Sequence, residues 1–415
     1  MRKCDMAIIG AGISGLSFAH YCAKNGLETV VLEKAERVGG CFHSHRFGAD
    51  PKPVDRTEDF WLELGAHTCY NSYASLINVI EEAGIIKELI PREKAPFKML
   101  SGGKLKSIPS MLDFMELLLC APRMLTAKKS GETMESYYSK IVGKKNYSRV
   151  FGPVFDAIIS QGANDFPADA LFKKRPRRKD ILKSFTLTRG LSTITDAIAG
   201  EPGITVLTGR EVISVAEDSD GYLVTAAGGE EIRSKYLTLA VPPPAAARAL
   251  HAGFPDLSAH LAKIKVKSVE TVGVMLRKES CKAEPVAGII PAVSSGPTGA
   301  PGEDFFSGVS RDVVKDSRYR GFAFHFRPGL LSMGQKLNKI ARIINVTPEQ
   351  ILQTAEKRNN VIPSLTLGHD EWVRETDRLL AGRSLFITGN YFDGVAIEDC
   401  VTRSASEFAR LRRSS

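Results

Sequence analysis

Gly10, Gly12 and Gly15 stand at the spacing G-x-G-x-x-G, and Glu33 follows 18 residues after the last of them. Together these residue types cradle a pyrophosphate and hold a ribose. A glycine at 10 permits a tight turn, one at 12 lets the backbone approach the phosphates, and one at 15 lets the following helix pack closely. The first helical turn, Ile13 and Ser14, then points its backbone N–H groups at an anion, and the Glu33 carboxylate accepts hydrogen bonds from ribose hydroxyls.

That chemistry needs a strand before the glycines, a helix after them and a second strand ending at the acid. The sequence supplies all three. Met6, Ala7, Ile8 and Ile9 are an apolar run; Leu16, Ala19, Cys22 and Ala23 recur at helical spacing; Asn25-Gly26 closes the helix; and Thr29, Val30, Val31 and Leu32 form a β-type run ending at Glu33. Further along, helical patterns dominate residues 72–154, with Leu76, Ile80 and Ala83 on one face. Short β-type runs follow at 204–207, 212–215, 222–225 and 236–241, with a turn at Asp218-Ser219-Asp220-Gly221. Alternation of Val272, Val274 and Leu276, and of Phe322, Phe324 and Phe326, predicts a second sheet within about 245–370, and residues 294–302 read as a loop.

The continuation Glu33-Lys34-Ala35-Glu36-Arg37-Val38-Gly39-Gly40, leading into Cys41, resembles the E-x-x-x-R-x-G-G signature of the flavin amine oxidase superfamily. Glu63-Leu64-Gly65-Ala66-His67-Thr68 resembles that superfamily's segment beside the flavin; read on its own, His67 is either a satisfied structural histidine or an acid–base group. Glu211-Val212-Ile213 is similar to the strand whose backbone, at Val212, brackets the adenine. Thr188-Arg189-Gly190-Leu191, Ala240-Val241-Pro242-Pro243 and the late Pro363 with Gly368-His369 match further segments. Gly389-Asn390, followed by Gly394-Val395-Ala396-Ile397-Glu398-Asp399-Cys400, is similar to the protoporphyrinogen oxidase family, and a helix N-terminus there can stabilise negative charge on a reduced flavin. The resemblance implies FAD held non-covalently, because Cys400 does not match the amine oxidase cysteine that links flavin. Protoporphyrinogen oxidases commonly carry an arginine where Phe97 stands here, beside Lys98, so those two positions are the candidate substrate contacts.

Composition bounds the rest. The 415 residues carry 56 Lys+Arg against 47 Asp+Glu, a net charge of +9, with 43% hydrophobic and 25% charged residues, which excludes a disordered or collagenous chain. The seven cysteines are scattered and never spaced as C-x-x-C, so neither a disulfide framework nor a zinc site is expected, and a reducing, cytoplasmic setting is the simplest one. The glycine-cut N-terminus reads as a strand rather than a signal peptide, and no apolar run is long enough to span a bilayer. Residues 110–125 are either an ordinary buried helix or a helix lying in a membrane interface. The basic run Lys173-Lys174-Arg175-Pro176-Arg177-Arg178-Lys179 is a solvated loop, or a patch attracting carboxylated substrate or anionic lipid. No nucleic-acid module accompanies it.

The expectation is an α/β fold: a discontinuous Rossmann-like FAD-binding domain from 1–75, 185–243 and 380–415, a mostly helical insertion at 76–184, and a substrate-binding sheet region at 244–379. The resemblance implies an FAD-dependent oxidoreductase taking hydride from a C–H of a small apolar or carboxylated molecule, as in porphyrinogen oxidation. A carotenoid-type desaturase, an amine oxidase, and a flavin-free lipid-binding relative are the alternatives. No catalytic acid or base is nominated.

Overall fold

The structure is a computed structural model that describes residues 1–48, 60–292 and 304–414, so the loop expected at 294–302 lies outside the described residues. Strand β1 (Arg2–Ile9), helix α1 (Ile13–Lys24) and strand β2 (Thr29–Leu32) open the chain. The strands Ile204–Leu207, β2, β1 and Glu231–Leu239 run parallel, with Leu385–Ile387 added parallel to the end of Glu231–Leu239. The antiparallel strands Gly221–Ala226 and Val212–Asp218 complete this seven-stranded sheet. Burial on both faces explains why β2 is four apolar or β-branched residues without a polar alternation.

Register decides where the chemistry gathers. Ile9 pairs with Leu32 and Leu239, Leu32 with Leu207, and Leu239 with Ile387, so five strands end level. The loops beginning at Gly10, Glu33, Thr208, Ala240 and Thr388 therefore meet at one carboxyl edge, where open α/β sheets bind ligands. Helix α1 and the C-terminal helix Ile397–Ser414 pack together on one face, where Phe18 lies against Phe386 and Phe408.

A second seven-stranded sheet has the order Ile351–Ser364, Lys265–Arg277, Tyr319–Phe326, Phe305–Ser310, Gly288–Pro291, Phe97–Ser101, Lys104–Ser107. Two expected boundaries differ from this arrangement. The 76–184 stretch contributes Phe97–Ser101 and Lys104–Ser107 to the second sheet, because Phe97–Ser101 pairs in parallel with Gly288–Pro291. Conversely, helices Pro243–Leu250 and Pro255–Leu261 bury Ala246, Leu250, Leu257 and Leu261 against the first sheet, not the second.

The helices Met134–Val142 and Gly152–Ile159 form a separate cluster around Met134, Tyr147, Phe155 and Phe166. The helix Phe114–Cys120 at its edge is not the buried helix that its composition allows. Phe114, Met115, Leu118 and Leu119 are 64–71% exposed, and Leu125 in the next turn is 90% exposed, because this helix turns only Cys120 and half-buried Leu117 of its apolar residues inward. Among the described residues, no helix is long and apolar enough to cross a membrane.

Candidate functional site

The three glycines of the first loop do different work. Gly10 has φ +102, and a Cβ there would sit 2.6 Å from the Ala240 carbonyl oxygen. A Cβ on Gly15 would fall 2.0 Å from the Gly10 carbonyl oxygen, so helix and loop touch backbone to backbone. Gly12 is different: its nearest neighbour in that direction is Gly40 Cα at 4.0 Å, and it is the one glycine of the three that is not buried. Gly12 is also the N-cap of α1, whose first turn has neither a side-chain cap nor an acidic residue. Ile13 and Ser14 are buried, so they can meet a ligand only through backbone N–H groups. An open backbone at an uncapped helix N-terminus fits the diphosphate of a dinucleotide.

Glu33 is placed by β2, and its carboxylate already accepts from the Ala11 and Ala35 backbone N–H groups, both at 2.9 Å. Two acceptor positions remain for ribose hydroxyls. Backbone bonds from Glu33 N to Leu207 O and from Arg210 N to Glu33 O bring the following loop alongside and set half-buried Val212 near that end. Lys34 projects into solvent.

The diglycine loop lies directly on the first. Gly39 N donates to Ala11 O at 2.7 Å, and Gly40, at φ +56, would bring a Cβ within 3.1 Å of Gly12 Cα. Arg37 clasps this loop by donating to the carbonyls of Val38, Phe42 and Gly40 at 2.8–3.0 Å, so its guanidinium serves the loop before any ligand. A Cβ on Gly65 would meet the Cys41 carbonyl oxygen at 2.0 Å, and Ala66 N donates to that oxygen at 2.9 Å. Cys41 remains open to solvent, yet enough protein surrounds its thiol to push the pKa up by burial.

His67 and His325 approach within 3.0 Å at their Nε2 atoms, and His325 Nδ1 lies 2.9 Å from the Thr271 hydroxyl. Burial, followed by the neighbouring His325, pulls the His67 pKa well down, and burial brings His325 to about 4. Both rings are therefore neutral at neutral pH. Lys357, on Ile351–Ser364, donates to the Gly40 carbonyl at 2.9 Å, and burial lowers its pKa to about 8. Glu63 accepts from Leu191 N at 2.7 Å and from the Ser44 hydroxyl at 3.0 Å, and burial raises its carboxyl to about 7.

At the far end, Thr388 N donates to Leu239 O, which seats Gly389 and half-buried Asn390 at the common strand edge. Val395, Ala396 and Ile397 are half-buried at the start of the C-terminal helix. That turn is already supplied with an anion, since Ala396 N donates to the Asp399 carboxylate at 3.1 Å.

Several predicted positions fall elsewhere. Phe97 is 51% exposed and Lys98 pairs with Glu284 at 3.5 Å, and neither lines the cavity beside His67. Thr68 is half-buried. The basic run is not a free patch: Lys173 lies 3.6 Å from Asp399, Arg175 also pairs with Asp399, and Arg178 holds Glu81 at 2.7 Å. Lys174, Arg177 and Lys179 stay exposed. Sequence reasoning missed Lys357, His325, Glu63 as a titrating group, and Arg92. Lys357 and Arg92 are single polar residues with no motif around them, and the noted patterns that contain Glu63 and His325 say nothing of their burial.

A family profile described as flavin containing amine oxidoreductase matches residues 13–353. The chain belongs to that family. Membership in the flavin containing amine oxidoreductases brings FAD as the cofactor, and the glycine cradle, Glu33 and the uncapped α1 turn fit its adenosine diphosphate half. A flavin-containing amine oxidase of Danio rerio is 23% identical over 273 residues, which is 58% of this chain and 50% of that relative. The chain thus spans about half the length of that curated relative. Among solved structures, a provisionally assigned protoporphyrinogen oxidase from Exiguobacterium sp. 255-15 superposes with TM-score 0.78 at 17% identity, covering 100% of this chain and 99% of the other. Reduced UDP-galactopyranose mutase superposes at 0.74 with 14% identity, covering 99% and 96%. These likenesses are of fold.

Proposed function

We propose that this flavin containing amine oxidoreductase is an FAD-dependent oxidase or dehydrogenase that abstracts hydride from a C–H of a small apolar or carboxylated substrate, with porphyrinogen oxidation as the leading reading. The observation that carries it is the contrast between Gly12, open to a ligand, and Gly10 and Gly15, closed by packing. When bound, FAD supplies the two-electron acceptor. The chain binds the diphosphate through the α1 turn, anchors the ribose through Glu33 and positions the substrate against the 65–68 segment. Positioning dominates such a transfer, and no side chain is required as a base. Buried Cys400 is unavailable for a covalent link, which supports dissociable FAD.

Asn390 and the 394–400 segment favour the porphyrinogen reading, whereas the Danio rerio relative favours an amine. Anaerobic mixing of the purified protein with protoporphyrinogen, coproporphyrinogen, a polyene and an amine in turn, while following flavin absorbance, separates them. Rapid bleaching by a porphyrinogen supports the leading reading, and bleaching by the amine or polyene alone removes it. A colourless protein that cannot be reconstituted with FAD removes the oxidoreductase reading altogether.

A peripheral contact with anionic membrane belongs to the same proposal, on the strength of the exposed Phe114, Met115, Leu118, Leu119, Met124 and Leu125. Exposed Arg123 and Lys128 follow in the same stretch, and exposed Lys144 lies on a short helix packed against Phe114–Cys120. Apolar insertion and cationic attraction together are the two signals that stable attachment needs.

A further inference from the structure

Strand Ser184–Leu187 pairs with Leu89–Pro91 so that Thr186 faces Ile90 in register, and Arg92 follows at once. Both residues line one small, partly open cavity, with His67, Glu63, Ser310 and Arg311. Arg92 is half-buried, but its Nε and the Thr186 hydroxyl are buried there, and neither has a hydrogen-bond partner among the described residues. The Arg92 side chain makes no ion pair among the described residues, although burial already lowers its pKa. A buried guanidinium N–H without an acceptor is costly, and so is a buried hydroxyl without a partner, so the two of them at one cavity call for a ligand.

The charge around the cavity is mainly positive. Arg311 donates to the Trp61 and Val314 carbonyls, both at 3.0 Å, lies over the Trp61 ring at 4.3 Å, and has no carboxylate partner among the described residues. The acid on the lining, Glu63, is engaged by Leu191 N and the Ser44 hydroxyl, and its raised pKa reduces its charge near neutrality. In the tautomer in which the Thr271 hydroxyl donates to His325 Nδ1, His325 Nε2–H donates to His67 Nε2. His67 then carries its proton on Nδ1, which makes no hydrogen bond to a described residue. The cavity volume of about 30 Å³ admits a group the size of one or two waters, not a ring system.

We infer that this cavity is a carboxylate subsite of the substrate pocket, in which Arg92 anchors one carboxylate with the Thr186 hydroxyl and His67 as flanking donors. The inference rests on the proposed function, which sets the 65–68 segment beside the flavin, and narrows its substrate class to molecules with a carboxylate placed to enter beside His67. A planar fork facing a carboxylate gives two parallel charge-assisted bonds, which lysine cannot reproduce.

Benzoate and its neutral isostere benzamide, titrated into the FAD-loaded protein while following the visible flavin spectrum, test it. Benzoate is expected to bind about tenfold or more tightly than benzamide. Arg92→Met should bring the two probes together, Arg92→Lys should fall between, and Thr186→Val should weaken benzoate by a smaller factor. A flavin-loaded wild type that does not distinguish the probes overturns the inference, and the cavity then holds water only; so does an Arg92→Met protein that keeps the preference. A chain that takes up no FAD fails the functional reading instead, and calorimetric titration of both probes into that same chain still decides the cavity.

Discussion

Adding one methyl group at Gly12 and one at Gly15 should separate ligand space from packing space. At Gly12 the backbone has φ −78 and ψ 177, which alanine adopts freely, and the new carbon meets only Gly40 Cα at 4.0 Å. Reduced freedom of the unfolded chain and the poorer N-cap oppose one another, so Gly12→Ala should change stability without FAD by no more than about 1 kcal/mol. At Gly15 the same carbon lies 2.0 Å from the Gly10 carbonyl oxygen. Ordinary contacts need roughly 3.5 Å, so α1 must retreat by roughly 1.5 Å from a loop that cannot follow. Overpacking of this kind costs about 1–3 kcal/mol or more. FAD binding should be lost in both variants for different reasons. In Gly12→Ala the methyl occupies the approach to the diphosphate, and each charge-assisted bond displaced costs about 1.5–3 kcal/mol, roughly ten- to hundredfold in affinity. Urea unfolding of the apoproteins and flavin fluorescence titration measure the two effects separately. Gly12→Ala that binds FAD like the wild type refutes the assignment of this turn, and Gly12→Ala that unfolds as readily as Gly15→Ala refutes the claim that the space is kept for a ligand.

Glu33→Ala should lower FAD affinity at least about tenfold in the same titration, since it removes the ribose acceptors and also frees the Ala11 and Ala35 N–H groups. Glu63 makes stability depend on pH: its carboxyl rises from 4.5 to about 7 on folding, so the native state holds the proton across that window and stability falls as pH rises through it. The loss should reach about 3 kcal/mol at most and be absent in Glu63→Gln, and a gap between the two proteins that is the same at about pH 5 and about pH 8 in urea unfolding counts against it. The wild type should float with anionic vesicles at low salt, and replacing Leu118 and Leu119 together by Asp should abolish recovery, since each exposed leucine can contribute about 1.5–3 kcal/mol on insertion. Equal recovery of both proteins, or none of either, removes the membrane contact.

The residues 6–33 announce the first strand, loop, helix and second strand by themselves, because the contacts that define the turn, Gly15 on Gly10, β2 on β1 and Glu33 on Ala11, lie within the segment. Gly10 must turn, Gly15 must touch Gly10, and Glu33 must end the strand beside β1, so their types and spacing already contain the geometry. The alternating runs at 272–276 and 322–326 likewise announce a sheet, since a two-residue period is a property of the strand itself. Pairing partners were another matter. That Phe97–Ser101 joins the second sheet, while helices at 243–261 cover the first, depends on which surfaces meet, and apolar periodicity does not name its partner. Apolar content alone did not say whether Phe114–Cys120 would be covered, and basic content alone did not say that Lys173 and Arg175 would be drawn to Asp399. Arg92, Thr186, His325 and Lys357, which set the electrostatics around His67, come from four separate strands and loops, and only tertiary burial turns their ordinary side chains into unpaired donors, a neutral histidine and a lysine with a lowered pKa.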